Sequence, residues 1–124
     1  MKVISTKNAP TPAGHYSQAI EVANMVFISG QLPIKPKTGE KIVDTIENQA
    51  LQAFENLKAI VEAADCTLAN VAKTTVYISD IELWPKVNAV YAEFFGDHKP
   101  ARAIVPSREL HHGFKIEIEA ILIK

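Results

Sequence analysis

The C-terminal stretch Ile116-Glu117-Ile118-Glu119-Ala120-Ile121-Leu122-Ile123 restricts the fold more than any other part of this 124-residue chain. Side chains alternate across a strand, so Ile116, Ile118, Ala120 and Leu122 share one face and Glu117, Glu119, Ile121 and Ile123 the other. The second face turns apolar at Ile121, which predicts burial on both sides with two carboxylates at the near end. Those carboxylates allow two readings. They form a solvated strand end, or they sit in a cleft opposite a cation, since Glu is seldom buried without a partner.

The remaining segments supply what such a strand must pack against. Val26-Phe27-Ile28-Ser29 is a short apolar run ending at Gly30 and reads as a buried strand. Before it come a strand over Ser17 to Val22 and a tight turn near Ala23-Asn24. The polar Lys35-Pro36-Lys37-Thr38-Gly39 predicts an exposed hairpin loop. Asp44 with Glu47 forms a capping pair for a long helix, whose Ala50, Phe54, Leu57, Val61 and Ala64 recur at spacings of four, three, four and three. Asp65 takes the left-handed position that ends it. Lys73 to Ser79, rich in Thr, Val, Ile and Tyr, reads as a strand. Pro85 opens a second helix that turns Val87, Val90, Tyr91 and Phe94 one way and closes at Gly96. Ala101 to Val105 and Lys115 to Ile123 are the last strands.

The order is strand, strand, strand, helix, strand, helix, strand, strand. It predicts an α+β fold, one domain over residues 1–124, built as a two-layer sandwich with two helices on one face of a mixed sheet. The other sheet face still needs cover, and in a chain this small the expected cover is another copy of itself.

Charge narrows the function classes. With 13 Lys+Arg against 14 Asp+Glu the net charge is -1, without the basic excess that phosphate neutralisation demands, so no nucleic-acid partner is expected. No run approaches the ~18 apolar residues of a membrane span. Met1 to Asn8 lacks the apolar segment of a secretory signal. The lone Cys66 has no internal disulfide partner and suits a reducing compartment, as a small packing residue or idle thiol. These features predict a cytoplasmic protein.

Arg102 follows Pro100-Ala101 at a strand start, an ordered place from which to present a guanidinium. Its planar fork holds a carboxylate through two parallel hydrogen bonds, so it is the candidate cation for the cleft; the other reading is a surface ion pair. His111 and His112 are adjacent, and on a strand they would point to opposite faces and make a poor metal pair. Gly30 ends its strand with no phosphate loop around it. Tyr16 follows a Pro/Gly-rich segment that forms either an anchored loop or a lid over a site.

Taken in order, the motifs resemble those of the Rid (YjgF) family across nearly the whole chain. They are Asn8-Ala9-Pro10 with Gly14-His15-Tyr16-Ser17-Gln18-Ala19, Ile28-Ser29-Gly30-Gln31-Leu32-Pro33, Pro36-Lys37-Thr38-Gly39-Glu40 and Asn56-Leu57-Lys58-Ala59-Ile60. Val71-Ala72-Lys73-Thr74-Thr75-Val76, Val87-Asn88-Ala89-Val90-Tyr91, His98-Lys99-Pro100-Ala101-Arg102 and Ile116-Glu117-Ile118-Glu119-Ala120-Ile121 complete the series.

The resemblance implies a chorismate-mutase-like fold assembled as a homotrimer, with a site in each cleft between subunits. It implies hydrolytic deamination of enamine/imine intermediates such as 2-aminoacrylate, 2-iminopropanoate and 2-iminobutanoate to 2-keto acids and ammonia, without metal or cofactor. By position Arg102 would clamp the substrate carboxylate, Glu117 would position or activate the attacking water, and Tyr16 would close the cleft. Ser29, Gly30 and Ile104 would contact the ligand, and Asn88 would give support from the second helix. The chain departs from the family pattern at His15, where Pro is common, at Ile104, where Cys is common, and across Pro106 to His111. Two other functions stay open: a trimeric 2-keto acid sensor without turnover, favoured by Ile104, Pro106 and His111, and a ribonuclease or translation inhibitor.

Overall fold

The computed structural model describes residues 1–124. Six strands form one sheet in the order β1-β2-β3-β6-β4-β5. They are β1 (Lys2–Ile4), β2 (Ala19–Val22), β3 (Met25–Gln31), β4 (Val71–Ile78), β5 (Ala101–Pro106) and β6 (Ile116–Ile123). Helix α1 (Ile46–Ala63) joins β3 to β4, and α2 (Trp84–Phe95) joins β4 to β5. The β4–β5 pair is parallel, and the others are antiparallel. A parallel pair needs a long crossover, which α2 supplies. The two-layer α+β arrangement expected from the sequence is thus observed. The first of the three expected N-terminal strands, not located by residue above, is the short β1.

The helix-facing residues of β6, namely Ile116, Ile118, Ala120 and Leu122, are buried, as the alternation requires. They pack with Val26, Ile28, Val76 and Ile78 beneath Phe54, Leu57, Ile60 and Val61 of α1. Every member of the expected α1 stripe is buried. The α1 cap differs from expectation: Thr45 is the N-cap, its hydroxyl accepting from the Asn48 amide at 3.1 Å. Asp44 instead accepts from the Asn48 side chain at 2.9 Å. A hydroxyl one residue later meets the free amide with better geometry than the carboxylate. Asp65 does take the left-handed conformation after α1, with φ 57°. No helix is long and apolar enough to cross a membrane.

The opposite sheet face is uncovered. Register places Phe27 beside Ile121 and Met25 beside Ile123, with Ile20 beside Phe27 and Val3 beside Ile20. Phe27 is 41% exposed and Ile123 40%, so an apolar patch continues over four strands.

Buried amides hold one end of the molecule. Gln18 Oε1 accepts from the Thr6 amide at 2.7 Å, and its Nε2 donates to the carbonyls of Thr6 and Pro10 at 3.0 and 2.9 Å. Asn56 Nδ2 donates to the carbonyls of Leu32 and Ile34 at 2.9 and 2.8 Å. Gln49 Oε1 accepts from the Lys115 amide at 2.9 Å, just before β6. Each would be costly to bury unbonded. Together they tie three irregular segments to the layers.

Candidate active site

The three tied segments form one cavity of about 430 Å³. Its wall includes the Pro10 to Gly14 loop, Tyr16, Leu32 and Ile34, and it contains Ser29, Gly30, His111, His112 and Glu117. Ser29 Oγ donates to the Ser17 carbonyl at 2.6 Å, which fastens the chain beside Tyr16 to β3. Tyr16 itself is 52% exposed over the cavity mouth.

Glu117 lies on the uncovered side of β6, opposite Tyr77 of β4. A Cβ at Gly30 would stand 2.9 Å from the Glu117 carboxyl carbon and overlap Oε2. Glycine is therefore required there by close approach rather than by backbone conformation. Burial pushes the Glu117 carboxyl above the usual carboxylate range; Glu119 adds to the rise and His111 opposes it. Glu119, two residues on, accepts from the Tyr77 hydroxyl at 2.7 Å. Glu117 has no such donor. Of the two carboxylates, Glu119 is bonded into the sheet and Glu117 faces the cavity with its lone pairs free.

A second cavity of about 420 Å³ lies between α2 and the edge strand β5, lined by Asn88, Tyr91, Phe95, His98, Lys99 and Arg102 among others. Arg102 pairs in register with Thr74, a buried residue of the helix-facing side. Its Nη1 donates to Asn88 Oδ1 at 2.9 Å, and its guanidinium carbon stands 4.7 Å from the centre of the Tyr91 ring and 5.6 Å from that of Trp84. Tyr91 is fixed in turn by a 2.7 Å hydrogen bond with Thr74 Oγ1.

The structure thus divides the sequence candidates. Tyr16, Ser29, Gly30 and Glu117 come together, and Arg102 and Asn88 come together elsewhere. Within one chain Arg102 is not the cation opposite Glu117. Ile104, two residues beyond Arg102 on β5, packs against the core and lines neither cavity. His111 and His112 do not lie on a strand. They occupy a 3-10 turn, His111–Gly113, where Leu110 and Phe114 are extended and Phe114 is buried. Their rings meet edge to face, 3.9 Å between centroids.

Comparison with known proteins gives the family. Residues 6–124 match the family model described as Endoribonuclease L-PSP. The chain belongs to this family. It is 52% identical over 123 residues to a RutC family protein of Pyrococcus horikoshii, spanning 99% of this chain and 98% of that one. It is 44% identical over 126 residues to the 2-iminobutanoate/2-iminopropanoate deaminase of Escherichia coli, with coverage of 99% and 98%. The crystal structure of E. coli TdcF with bound serine matches at TM-score 0.95 and 40% identity, covering 100% of this chain and 99% of that one. The Rid resemblance seen in the motifs is borne out.

Sequence reasoning on this Rid family chain missed the aromatic support of Arg102. Tyr91 was assigned only to the α2 stripe, and Trp84 was not considered, although both lie one helical turn from Asn88, the residue expected to support the site from that helix. It also missed Gln18, Gln49 and Asn56. Amides at apolar positions of a stripe were the available clue, because they must be bonded to be buried.

Proposed function

We propose that the chain hydrolyses 2-imino acids to 2-keto acids and ammonia, at a site completed where two copies meet in a homotrimer. One copy supplies Arg102 with its Asn88 support. The neighbour supplies Glu117, Tyr16, Ser29 and Gly30. The observation that carries this reading is the separation itself: each cavity holds what the other lacks, and the uncovered apolar sheet face gives the copies reason to associate. A cyclic, heterologous contact brings two different patches together at every interface. The names of the deaminase relatives support the substrate class.

The chemistry suits these groups. The iminium carbon is already electrophilic, so orientation and proton transfer are the main requirements. Arg102 holds the substrate carboxylate through its fork, which converts an encounter into a positioned reaction. Glu117 accepts a proton as the water oxygen bonds to the iminium carbon. The resulting carbinolamine nitrogen takes that proton back, the C–N bond breaks, and the hydroxyl becomes the keto oxygen as it gives up its own proton with the departing ammonia. A carboxyl raised by burial makes Glu117 a better proton acceptor than an exposed glutamate. No cofactor enters these steps. Cys66, buried and apart from both cavities, takes no part, and an unpaired thiol fits the cytoplasm. The family description favours a second reading, RNA cleavage, but the cavity with the free carboxylate repels phosphate and the net charge is -1.

Mixed assemblies test the proposal. Arg102→Ala and Glu117→Gln homotrimers are each expected to lose turnover of freshly generated 2-iminopropanoate. Equal co-expression restores one intact site per mixed ring, hence about a quarter of wild-type activity. No recovery in verified mixed trimers would overturn the shared site. RNA cleavage that depends on Glu117, with no imine turnover by the parent protein, would replace deamination.

A further inference from the structure

The His111–His112 turn is the part of the first cavity that the proposed reaction leaves without a role. Both rings line the cavity that holds Glu117, and they contact each other edge to face. Neither ring is hydrogen-bonded within the chain, in contrast to His98, whose Nε2 meets the Val71 carbonyl at 2.7 Å. His112 also holds φ 59° and ψ 16°, followed by Gly113 at φ 72°. A side chain in the left-handed region carries strain that glycine would avoid. An imidazole kept at such a position, against a cavity, points to use rather than packing.

We propose that His111 and His112 are positioning residues for the Glu117 carboxylate, an imidazole wall that sets the pH range in which this carboxylate stays ionised. The inference rests on the role given to Glu117 above and adds the group that regulates it. The groups facing Glu117 are few. Its own strand brings Glu119, whose oxygen is bonded to Tyr77 of β4; the N-terminal loop brings Tyr16; and the turn brings the two histidines. Among these only an imidazole becomes a cation. His111 holds the Glu117 carboxyl down against the rise caused by burial and by Glu119. His112 is kept below the ordinary imidazole value by desolvation of its ring, by His111 and by Lys41 from the hairpin. The pair is therefore asymmetric. The His112 ring meets that of His111 edge to face and buttresses it. A cationic imidazole beside a carboxylate favours the carboxylate's ionised form.

The test uses the full chain with His111→Gln and His112→Gly, and two readouts. In His111→Gln the acid limb of the kcat/KM profile on 2-iminopropanoate is expected to move up by about 0.5–1 pH unit, with the plateau rate within about 3-fold of wild type. The carboxyl carbon of Glu117, followed by NMR, should titrate at correspondingly higher pH. His112→Gly relieves the left-handed strain, so it should unfold at higher temperature yet show the same upward drift of the acid limb. A rate loss uniform across pH, or an unmoved Glu117 titration in His111→Gln, overturns the inference and leaves the turn a plain wall. The NMR readout needs no turnover, so absence of imine hydrolysis by the parent protein would sink the proposed function while this titration still decided the histidine role.

Discussion

The Arg102 guanidinium donates to Asn88 and lies over two aromatic rings, while the Glu117 carboxylate, on the other side of the same sheet, has no donor and a glycine pressed against it. Arg102 is settled. A cation over an aromatic face gains about 0.5–2 kcal/mol and keeps most of its fork free to bind. Glu117 is unsettled, because burial beside Glu119 disfavours its charge. The contrast teaches which group binds and which reacts: a clamp works best when fixed in advance, and a proton acceptor works best when its charged form is left wanting.

The largest effect expected from breaking that contrast is at Glu117. Glu117→Gln keeps the shape and removes the acceptor, and kcat on 2-iminopropanoate should fall by about 10²–10⁴-fold. Stability should move the other way. The folded-state carboxyl value lies above the unfolded one, so its protonated form stabilises at low pH, and that contribution is lost as pH rises through the folded value. Above the folded value the ionised group is a cost to the fold. Its removal should raise the midpoint of thermal unfolding by a few degrees.

A smaller loss is expected on the cationic side. Arg102→Lys keeps charge but gives up the fork and the flat stacking on Tyr91, and one lost charge-assisted contact of about 1.5–3 kcal/mol corresponds to about a 10–100-fold drop in kcat/KM. Its thermal midpoint should fall slightly, opposite in sign to that of Glu117→Gln. A midpoint that rose in both variants would show that the two sides are equally strained. The smallest effect belongs to Cys66. Cys66→Ala should leave kcat/KM within about 2-fold of wild type, since the thiol touches neither cavity; a large loss with the assembly intact would reveal thiol chemistry.

Local rules made most of the layers legible. The alternation of β6, the α1 stripe, Pro85 and Gly96 each act through neighbours along the chain, and all appear in the structure as expected. The division of the site was not legible at that level. Whether Arg102 and Glu117 share a side depends on the parallel register of β4 with β5 and the antiparallel register of β4 with β6, and no local pattern sets either. The histidine turn was not located from the sequence, because two adjacent imidazoles before a strand carry no turn signal of their own; Gly113 and the left-handed His112 bend the chain there. The partners of the Gln18, Asn56 and Gln49 amides were not legible for a related reason: they lie 8 to 66 residues away.

The position of β6 has a consequence for how the molecule comes into being. Strand β6, the latest of the six in chain order, lies between β3 and β4, so the parts of the sheet that precede it in the chain have no direct ladder to each other until it inserts. During translation the α1 and α2 regions emerge with a gap between their strands. The gap closes only when β6 inserts, and the same insertion delivers Glu117 to Gly30. Maturation of the acid and completion of the sheet are one event, which leaves an unfinished chain without a reactive carboxylate in place.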